Sequence, residues 1–239
     1  MRRRADAQCL MAEWATQRLE GAVRSGAADA MPADDLFEIA AHDIKNALNV
    51  VNSALDMIAE DPAEMNEMLP LLRRSSGRIG RLVATLVEVN RLVGGTMPVQ
   101  LTDEPWSQLC EKAMAEVAIV GQAKEITVDL RGGRALVVRC DRPLLERVLT
   151  SLLDHALATS PRGSVVDVEG ARTDDGGFRA VVGGRGPAVP AEVLRRSRGW
   201  GLGIIYCRLA MERLGGSIRA ISPYVGEDGL AFEIALPAW

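Results

Sequence analysis

The chain has 239 residues, 48% of them hydrophobic and 25% charged, which is typical of a globular protein with one or two domains. Its formal net charge of −4 at pH 7 argues against a nucleic-acid-binding protein, because a surface that follows phosphates is basic. The sequence has no apolar run of about 18 residues, so we expect no membrane span. The cysteines form no Cys-x-x-Cys pair, which indicates reduced thiols, a cytoplasmic location and no metal site.

Residues 1–34 are predicted to form a short helix followed by a linker. Apolar side chains recur at near-helical intervals over the first 23 residues, at Leu10, Trp14, Leu19 and Val23. The small and polar residues SGAADAMPADD follow and indicate the linker.

Residues 35–97 are predicted to form an antiparallel helical hairpin, because apolar side chains repeat there at alternating steps of three and four. The first seam is Phe37, Ala41, Ile44, Leu48, Val51, Leu55 and Ile58, and the second is Met65, Met68, Leu72, Ser75, Ile79, Leu82, Leu86, Val89 and Val93. Asp61-Pro62 predicts the turn between the helices, and Gly94-Gly95 predicts the end of the second helix. A lone hairpin cannot bury both seams, so we expect a homodimer in which two hairpins form a four-helix bundle.

Residues 98–239 are predicted to form a second, α+β domain, because helical and strand-like periods are interspersed there. The predicted helices are Trp106–Val120, Arg142–Ala158 and Gly203–Leu214. The predicted strands are Ile126–Leu130, Leu136–Arg139, Val165–Glu169, Phe178–Val182, Ser217–Ser222 and Leu230–Leu236.

One histidine of the first helix lies on the face opposite the seam. His42 is roughly 150° away from the mean seam direction at about 100° per residue. An exposed imidazole titrates near neutral pH and is a nucleophile for a phosphoryl group, although such a face is also common as plain solvated surface. Asp43 is positioned in sequence to hold one ring nitrogen protonated, and Asn46 shares the face of His42.

The segment AHDIKNALNVV, residues 41–51, resembles the phosphoacceptor box of sensor histidine kinases. This resemblance implies that His42 is phosphorylated, that Asp43 is the acid/base partner and that Asn46 positions water for dephosphorylation of a partner. It also implies response-regulator receiver domains as partners. The proline that ends the family's box is Ala47 here.

Residues from about 100 onward resemble the GHKL-type ATP-binding domain of the same kinases, an α/β sandwich. The segment GWGLG keeps the glycines that open a helix in the family, Gly199, Gly201 and Gly203. In LLERVLTSLLDHALATSP, the two asparagines of the family's box are Ser151 and His155. In VVGGRGPAVP, Gly184 stands where the family has the aspartate that binds adenine, and Gly186 keeps one glycine of that box.

These changes predict a relict nucleotide site. Losing hydrogen bonds at the adenine and Mg²⁺ positions removes roughly 3–6 kcal/mol of binding free energy, or about two to four decades of affinity. The segment between Pro190 and Gly199 is also shorter than the family's lid over ATP. We therefore expect that the chain uses neither ATP nor Mg²⁺ as a cofactor.

Three functions follow from the resemblance. The first is a dimeric histidine phosphotransferase that exchanges a phosphoryl group between His42 and response-regulator aspartates without ATP. The second is an ATP-dependent sensor histidine kinase that phosphorylates its own His42. The third is a non-catalytic or phosphatase-like regulator that binds a response regulator. The altered boxes favour the first over the second, and the presence of both His42 and Asp43 weighs against the third.

Overall fold

The computed structural model describes residues 33–190 and 201–238. The predicted N-terminal helix, the linker up to residue 32, the whole segment 191–198 that replaces the lid, and Gly199 lie outside these residues. The last three residues of the predicted linker, 33–35, are helical instead. Among the helices described, none is both long and apolar enough to cross a membrane.

Two long helices form the predicted antiparallel hairpin. Helix α1 (Ala33–Glu60) and helix α2 (Met65–Val93) are joined by a single 3₁₀ turn, Pro62–Glu64. Asp61 caps this turn, because its carboxylate accepts a hydrogen bond from the Ala63 amide at 3.0 Å. Gly94 caps the C-terminus of α2, so the sequence prediction of both helix ends is confirmed.

The apolar seam of α1 is not the face that packs inside the chain. The buried residues of α1 are Leu36, Ala40, Asp43, Ala47 and Ala54. The predicted seam lies beside this stripe and stays largely open, with Phe37 59% and Leu55 50% exposed. The inward stripe is rich in alanine, and small side chains let neighbouring helices approach closely. The single chain therefore leaves the larger apolar side chains of the hairpin without an intramolecular cover.

The rest of the described chain is an α+β sandwich, as predicted. Its strands are β1 (Thr102–Pro105), β2 (Thr127–Arg131), β3 (Val137–Cys140), β4 (Val165–Arg172), β5 (Phe178–Gly184), β6 (Ser217–Ile221) and β7 (Leu230–Leu236). Its helices are α3 (Trp106–Ala123), α4 (Arg142–Thr159) and α5 (Leu202–Arg213). Five strands form one sheet in the order β2-β4-β5-β7-β6, parallel between β2 and β4 and antiparallel elsewhere. A separate antiparallel ribbon joins β1 to β3.

The three helices cover one face of the five-stranded sheet. Val168, Ala180 and Phe232 point into the core that the strands share with the helices. The alternate residues carry ion pairs instead, such as Arg219 with the carboxylate of Glu233 at 2.6 Å. This alternation of apolar and charged side chains is what a sheet covered on one face requires.

Strand β1 is the element that the sequence analysis missed. Its residues, TDEP, carry no apolar alternation. The strand exists because its backbone pairs with β3, in the register Thr102 opposite Cys140. Backbone pairing of this kind leaves no signal in side-chain hydropathy.

A glycine of β4 sets the position of the largest core side chain. Trp106 is fully buried, with its ring 5.0 Å from that of Phe178. A Cβ atom at Gly170 would stand 2.5 Å from the Trp106 Nε1 atom. We expect Gly170→Ala to destabilise the fold by about 1–3 kcal/mol or more, because the indole has no room to yield.

Chemical denaturation of Gly170→Ala measures this loss. The matched control is Gly80→Ala in helix α2, where no heavy atom lies within 4 Å of the added Cβ. That substitution is expected to be neutral or stabilising by up to about 1 kcal/mol. Equal stability of the two variants would show that the indole does not require the glycine.

Candidate functional site

His42 stands on the outer face of α1, as its helical position predicted. Its side chain is 62% exposed, whereas the following residue is buried. The Asn46 amide lies one helical turn away and donates to His42, with Nδ2 3.3 Å from Nδ1. The hairpin thus presents the accessible imidazole of His42 next to the side-chain amide of Asn46. This amide is close enough to contact a group bound to the imidazole.

The side chain of Asp43 leaves α1 on a different side from that of His42, and it enters the junction between the hairpin and helix α5. Only 2% of the residue is exposed. Its Oδ1 atom is 3.9 Å from His42 Nδ1, which is too long for a hydrogen bond. Its Oδ2 atom accepts a hydrogen bond from the backbone amide of Leu202 at 3.3 Å. Sequence reasoning missed this contact, because 159 positions separate the two residues.

Helix α5 begins at the glycine-rich segment. Gly201 occupies the N-cap position with φ 76°, a conformation that glycine adopts without strain, and glycine has no side chain with which to cap the helix. The amide of Leu202 is one of the first N–H groups of the helix, and such groups attract anions. The anion bound here is the carboxylate of Asp43.

Helix α4 carries both replaced asparagine positions, Ser151 and His155, and the first of them lies next to the start of α5. Asp141 caps the helix by accepting a hydrogen bond from the Leu144 amide at 3.1 Å. Ser151 is buried, and its Cβ lies 3.9 Å from where a Cβ on Gly203 would stand. The His155 ring packs edge-on against Phe232, with centroids 5.3 Å apart. In the part of the chain that the structure describes, no three acidic, histidine or cysteine side chains form a cluster able to hold a metal ion.

The C-terminal end of β5 packs against the C-terminal end of α4. A Cβ on Gly184 would lie 2.5 Å from the Ser160 hydroxyl oxygen, and one on Gly186 would lie 2.8 Å from the Thr159 carbonyl oxygen. The Arg185 amide donates to the same Ser160 hydroxyl at 3.0 Å. The position that resembles the adenine-binding aspartate therefore has no carboxylate, and a side chain there would have to displace the Ser160 hydroxyl.

The residues singled out from the sequence thus fall into two groups. His42 and Asn46 are adjacent on the outside of the hairpin. The others lie along α4: Gly203 of α5 is next to Ser151, and Gly184 and Gly186 are next to the end of α4, while His155 is a residue of α4 itself and Gly201 begins α5. Asp43 links the groups, because it follows His42 in sequence and contacts the start of α5.

The described cysteines are free thiols and are buried, as expected of reduced cysteines. Burial raises the pKa of each of Cys110, Cys140 and Cys207 to about 12. Only about 10⁻⁴ of each would be thiolate at pH 8, so we expect modification about a thousandfold slower than in the unfolded chain.

Reaction with a thiol reagent, with and without denaturant, measures this protection. A Cys9→Ser background removes the cysteine that lies outside the described residues. Rapid modification of the folded variant would show that the thiols are exposed by opening of the core.

The known proteins that are similar to this chain include sensor histidine kinases. Residues 33–95 match the family model of the His Kinase A (phospho-acceptor) domain. The sensor-like histidine kinase SenX3 of Mycobacterium tuberculosis is 26% identical over 222 residues, covering 85% of this chain and 53% of SenX3. The sensor protein QseC of Salmonella typhimurium is 31% identical over 133 residues, covering 54% of this chain and 30% of QseC. The chain therefore spans about half the length of SenX3 and less of QseC.

Solved structures share the fold. The Acinetobacter baumannii histidine kinase AdeS superposes with a TM-score of 0.61 at 17% identity, covering 82% of this chain and 97% of AdeS. The histidine kinase ThkA, solved in complex with the response regulator protein TrrA, gives a TM-score of 0.61 at 18% identity, covering 83% of this chain and 60% of ThkA. The hairpin is thus a His Kinase A (phospho-acceptor) domain, and the chain is similar to sensor histidine kinases over most of its length.

Proposed function

We propose that this chain is a dimeric histidine phosphotransferase of a two-component phosphorelay. His42 accepts a phosphoryl group from the aspartate of one response-regulator receiver domain and passes it to another, without ATP. The observation that carries this proposal is a contrast between the two halves. His42 is exposed on the hairpin, whereas Gly184, at the position of the family's adenine-binding aspartate, has no carboxylate and is crowded by the Ser160 hydroxyl.

The proposed phosphoryl transfer requires no chemical group from the second domain. A ring nitrogen of His42 attacks the phosphorus of the receiver's aspartyl phosphate, a new P–N bond forms, and the P–O bond to the aspartate breaks. The aspartate leaves as a carboxylate and needs no proton. The metal ion that neutralises the phosphoryl oxygens belongs to the receiver, so loss of the nucleotide site is compatible with this reaction.

An ATP-dependent kinase is the second candidate. It is favoured by the intact start of α5 at Gly201 and Gly203, and by relatives whose names are those of histidine kinases. Against it stand Ser151 and His155 at the two asparagine positions of the family's box, because the resemblance implies that the second asparagine helps to hold Mg²⁺. Neither position is part of an acidic cluster in the described chain.

A phosphatase-like regulator is the third candidate. Its support is the Asn46 amide 3.3 Å from the His42 ring, a position from which an amide can orient a water. Such a protein would need Asn46 to dephosphorylate a receiver but would not need His42 as a phosphoryl acceptor.

The proposed dimer uses the uncovered face of the hairpin. Large apolar side chains remain exposed on both helices, including Phe37, Leu48 and Leu55 on α1 and Met65, Val83 and Val87 on α2. A second hairpin is the cover of matching length and apolar character, and a four-helix bundle buries these side chains at its centre.

Two labelling reactions separate the candidates. The protein is incubated with radiolabelled ATP and Mg²⁺, and separately with a receiver domain carrying a labelled aspartyl phosphate. We expect label from the receiver and none from ATP. Label from ATP would make the chain a kinase, and loss of receiver phosphate as free phosphate without protein label would favour the regulator.

A further inference from the structure

The imidazole of His42 and the side-chain amide of Asn46 form a contact pair on the outer face of α1. The Asn46 Nδ2 atom is 3.3 Å from Nδ1 of the ring and 3.5 Å from Nε2. Asp43 Oδ1 is 3.9 Å from Nδ1, which is too long for a hydrogen bond. Within the described chain, the Asn46 amide is therefore the side-chain group that lies within hydrogen-bond distance of the ring nitrogens.

We propose that Asn46 is a positioning residue that selects the tautomer of His42 and, through it, the ring nitrogen that attacks phosphorus. The orientation of the amide and the position of the ring proton are coupled. When Nδ2 faces the ring, the proton is on Nε2. When the amide is turned over, Oδ1 accepts a hydrogen bond from a proton on Nδ1. The effect on phosphorylation rests on the proposed function, whereas the choice of tautomer does not.

The coupling follows from the donors and acceptors of the two side chains. A neutral imidazole has one N–H donor and one nitrogen with a lone pair, whereas an amide nitrogen only donates and an amide oxygen only accepts. Because Nδ2 of Asn46 faces Nδ1 of His42 at 3.3 Å, that ring nitrogen contributes its lone pair and the proton lies on Nε2. A proton on Nδ1 would instead place two N–H donors face to face.

The tautomer decides which nitrogen is the nucleophile. Only an unprotonated ring nitrogen has the lone pair with which to attack phosphorus. In the orientation that the structure shows, this nitrogen is Nδ1, and the Asn46 amide already engages its lone pair. Turning the amide over lets the proton move through water from Nε2 to Nδ1, and the lone pair of Nε2 is then free to attack.

The carboxylate of Asp43 favours the other tautomer. It is buried, and a negative charge 3.9 Å from Nδ1 attracts a proton to that nitrogen. The donor of Asn46 and the charge of Asp43 thus act on Nδ1 in opposite directions, which brings the two tautomers closer in free energy. A change of the group at position 46 is therefore expected to shift their ratio.

The experiment measures the tautomer by nitrogen NMR of the full chain at about pH 9, where a histidine ring is neutral. Asn46→Asp replaces the donor by an acceptor of the same shape, and Asn46→Leu removes both functions without adding charge. The matched control is Asn49→Asp, which makes the same change at an exposed residue of α1, seven positions from His42. A His42→Gln spectrum identifies the His42 signals.

We expect mainly Nε2–H in the wild type, a smaller Nε2–H fraction in Asn46→Leu, mainly Nδ1–H in Asn46→Asp and no change in Asn49→Asp. Phosphoramidate then serves as a small donor that needs no receiver. The unprotonated ring nitrogen forms a bond to its phosphorus, and the donor's P–N bond breaks to release ammonia. Asn46→Asp should raise the rate of phosphorylation at Nε2 roughly threefold to tenfold, because the reactive tautomer rises from a minor fraction to most of the molecules.

Phosphorus NMR of the product identifies the modified nitrogen. An unchanged tautomer ratio in both Asn46 variants would overturn the proposal, whatever happens to the rates. A changed ratio without a faster reaction at Nε2, in Asn46→Leu as well as in Asn46→Asp, would reject the link between tautomer and attack. Labelling of the protein by phosphoramidate but not by a phosphorylated receiver would reject the proposed relay function and leave the role of Asn46 standing.

Discussion

Replacing His42 by Gln is expected to abolish transfer of phosphate from a phosphorylated receiver, with residual protein label at least about a thousandfold below wild type. Covalent transfer needs a nucleophile, and an amide at this position supplies none. The other described histidine, His155, packs edge-on against Phe232 inside the second domain. It cannot substitute for a side chain that is 62% exposed on the outside of the hairpin.

The measurement is transfer of label from the receiver over time, followed by an acid and base treatment of the labelled protein. A phosphohistidine loses its phosphate in acid and keeps it in base. Lys45→Ala is the matched control, because Lys45 is exposed and lies about one helical turn from His42. The Lys45→Ala variant keeps His42 as the phosphoryl acceptor, so we expect it to change the rate of transfer only through weaker or stronger binding of the receiver domain.

Retention of label in His42→Gln would move the acceptor to another residue and reject the proposed function. Loss of label in His42→Gln, together with normal release of receiver phosphate, would point to the phosphatase-like candidate. In that case Asn46→Ala, which removes the amide next to the ring, is the variant that should lose activity.

The second large effect concerns ATP. The wild-type chain is expected to show no binding at millimolar ATP with Mg²⁺, and Gly184→Asp is expected not to restore it. A Cβ at position 184 would meet the Ser160 hydroxyl at 2.5 Å and the Ala156 carbonyl oxygen at 3.2 Å. The new side chain therefore has to displace the Ser160 hydroxyl and crowds the Ala156 carbonyl oxygen, and we expect a loss of about 1–3 kcal/mol in stability.

Isothermal titration calorimetry measures ATP binding, and thermal unfolding measures the loss of stability. Gly80→Asp is the control, because an added Cβ there meets no heavy atom within 4 Å. The double variant Gly184→Asp with Ser160→Ala removes the hydroxyl and should recover part of the lost stability. It should still not bind ATP, since Ser151 and His155 stay in place.

Binding of ATP by the wild type with a micromolar dissociation constant would overturn this expectation and favour the ATP-dependent kinase. Binding that appears only in the double variant would show that lack of space at Gly184, and not the other replaced residues, is what closes the site.

The elements of this protein are largely determined by local sequence. The turn at Asp61-Pro62, the glycines after Val93 and the alternation along β7 each depend on a few neighbouring residues, and the structure has these elements where the sequence predicted them. The outward position of His42 follows from helical geometry alone once the helix is recognised. The altered nucleotide boxes are also visible in the sequence, because they are matters of residue identity.

Tertiary structure alone decided which face of α1 packs inward and which partner Asp43 has. The choice between two neighbouring stripes, one of alanines and one of larger side chains, depends on how closely α2 and α5 approach. The hydrogen bond from Leu202 to Asp43 and the contact of Gly184 with Ser160 join parts of the chain that are far apart in sequence. Local periodicity determines which residues form a helix or strand, but long-range packing determines which surfaces meet.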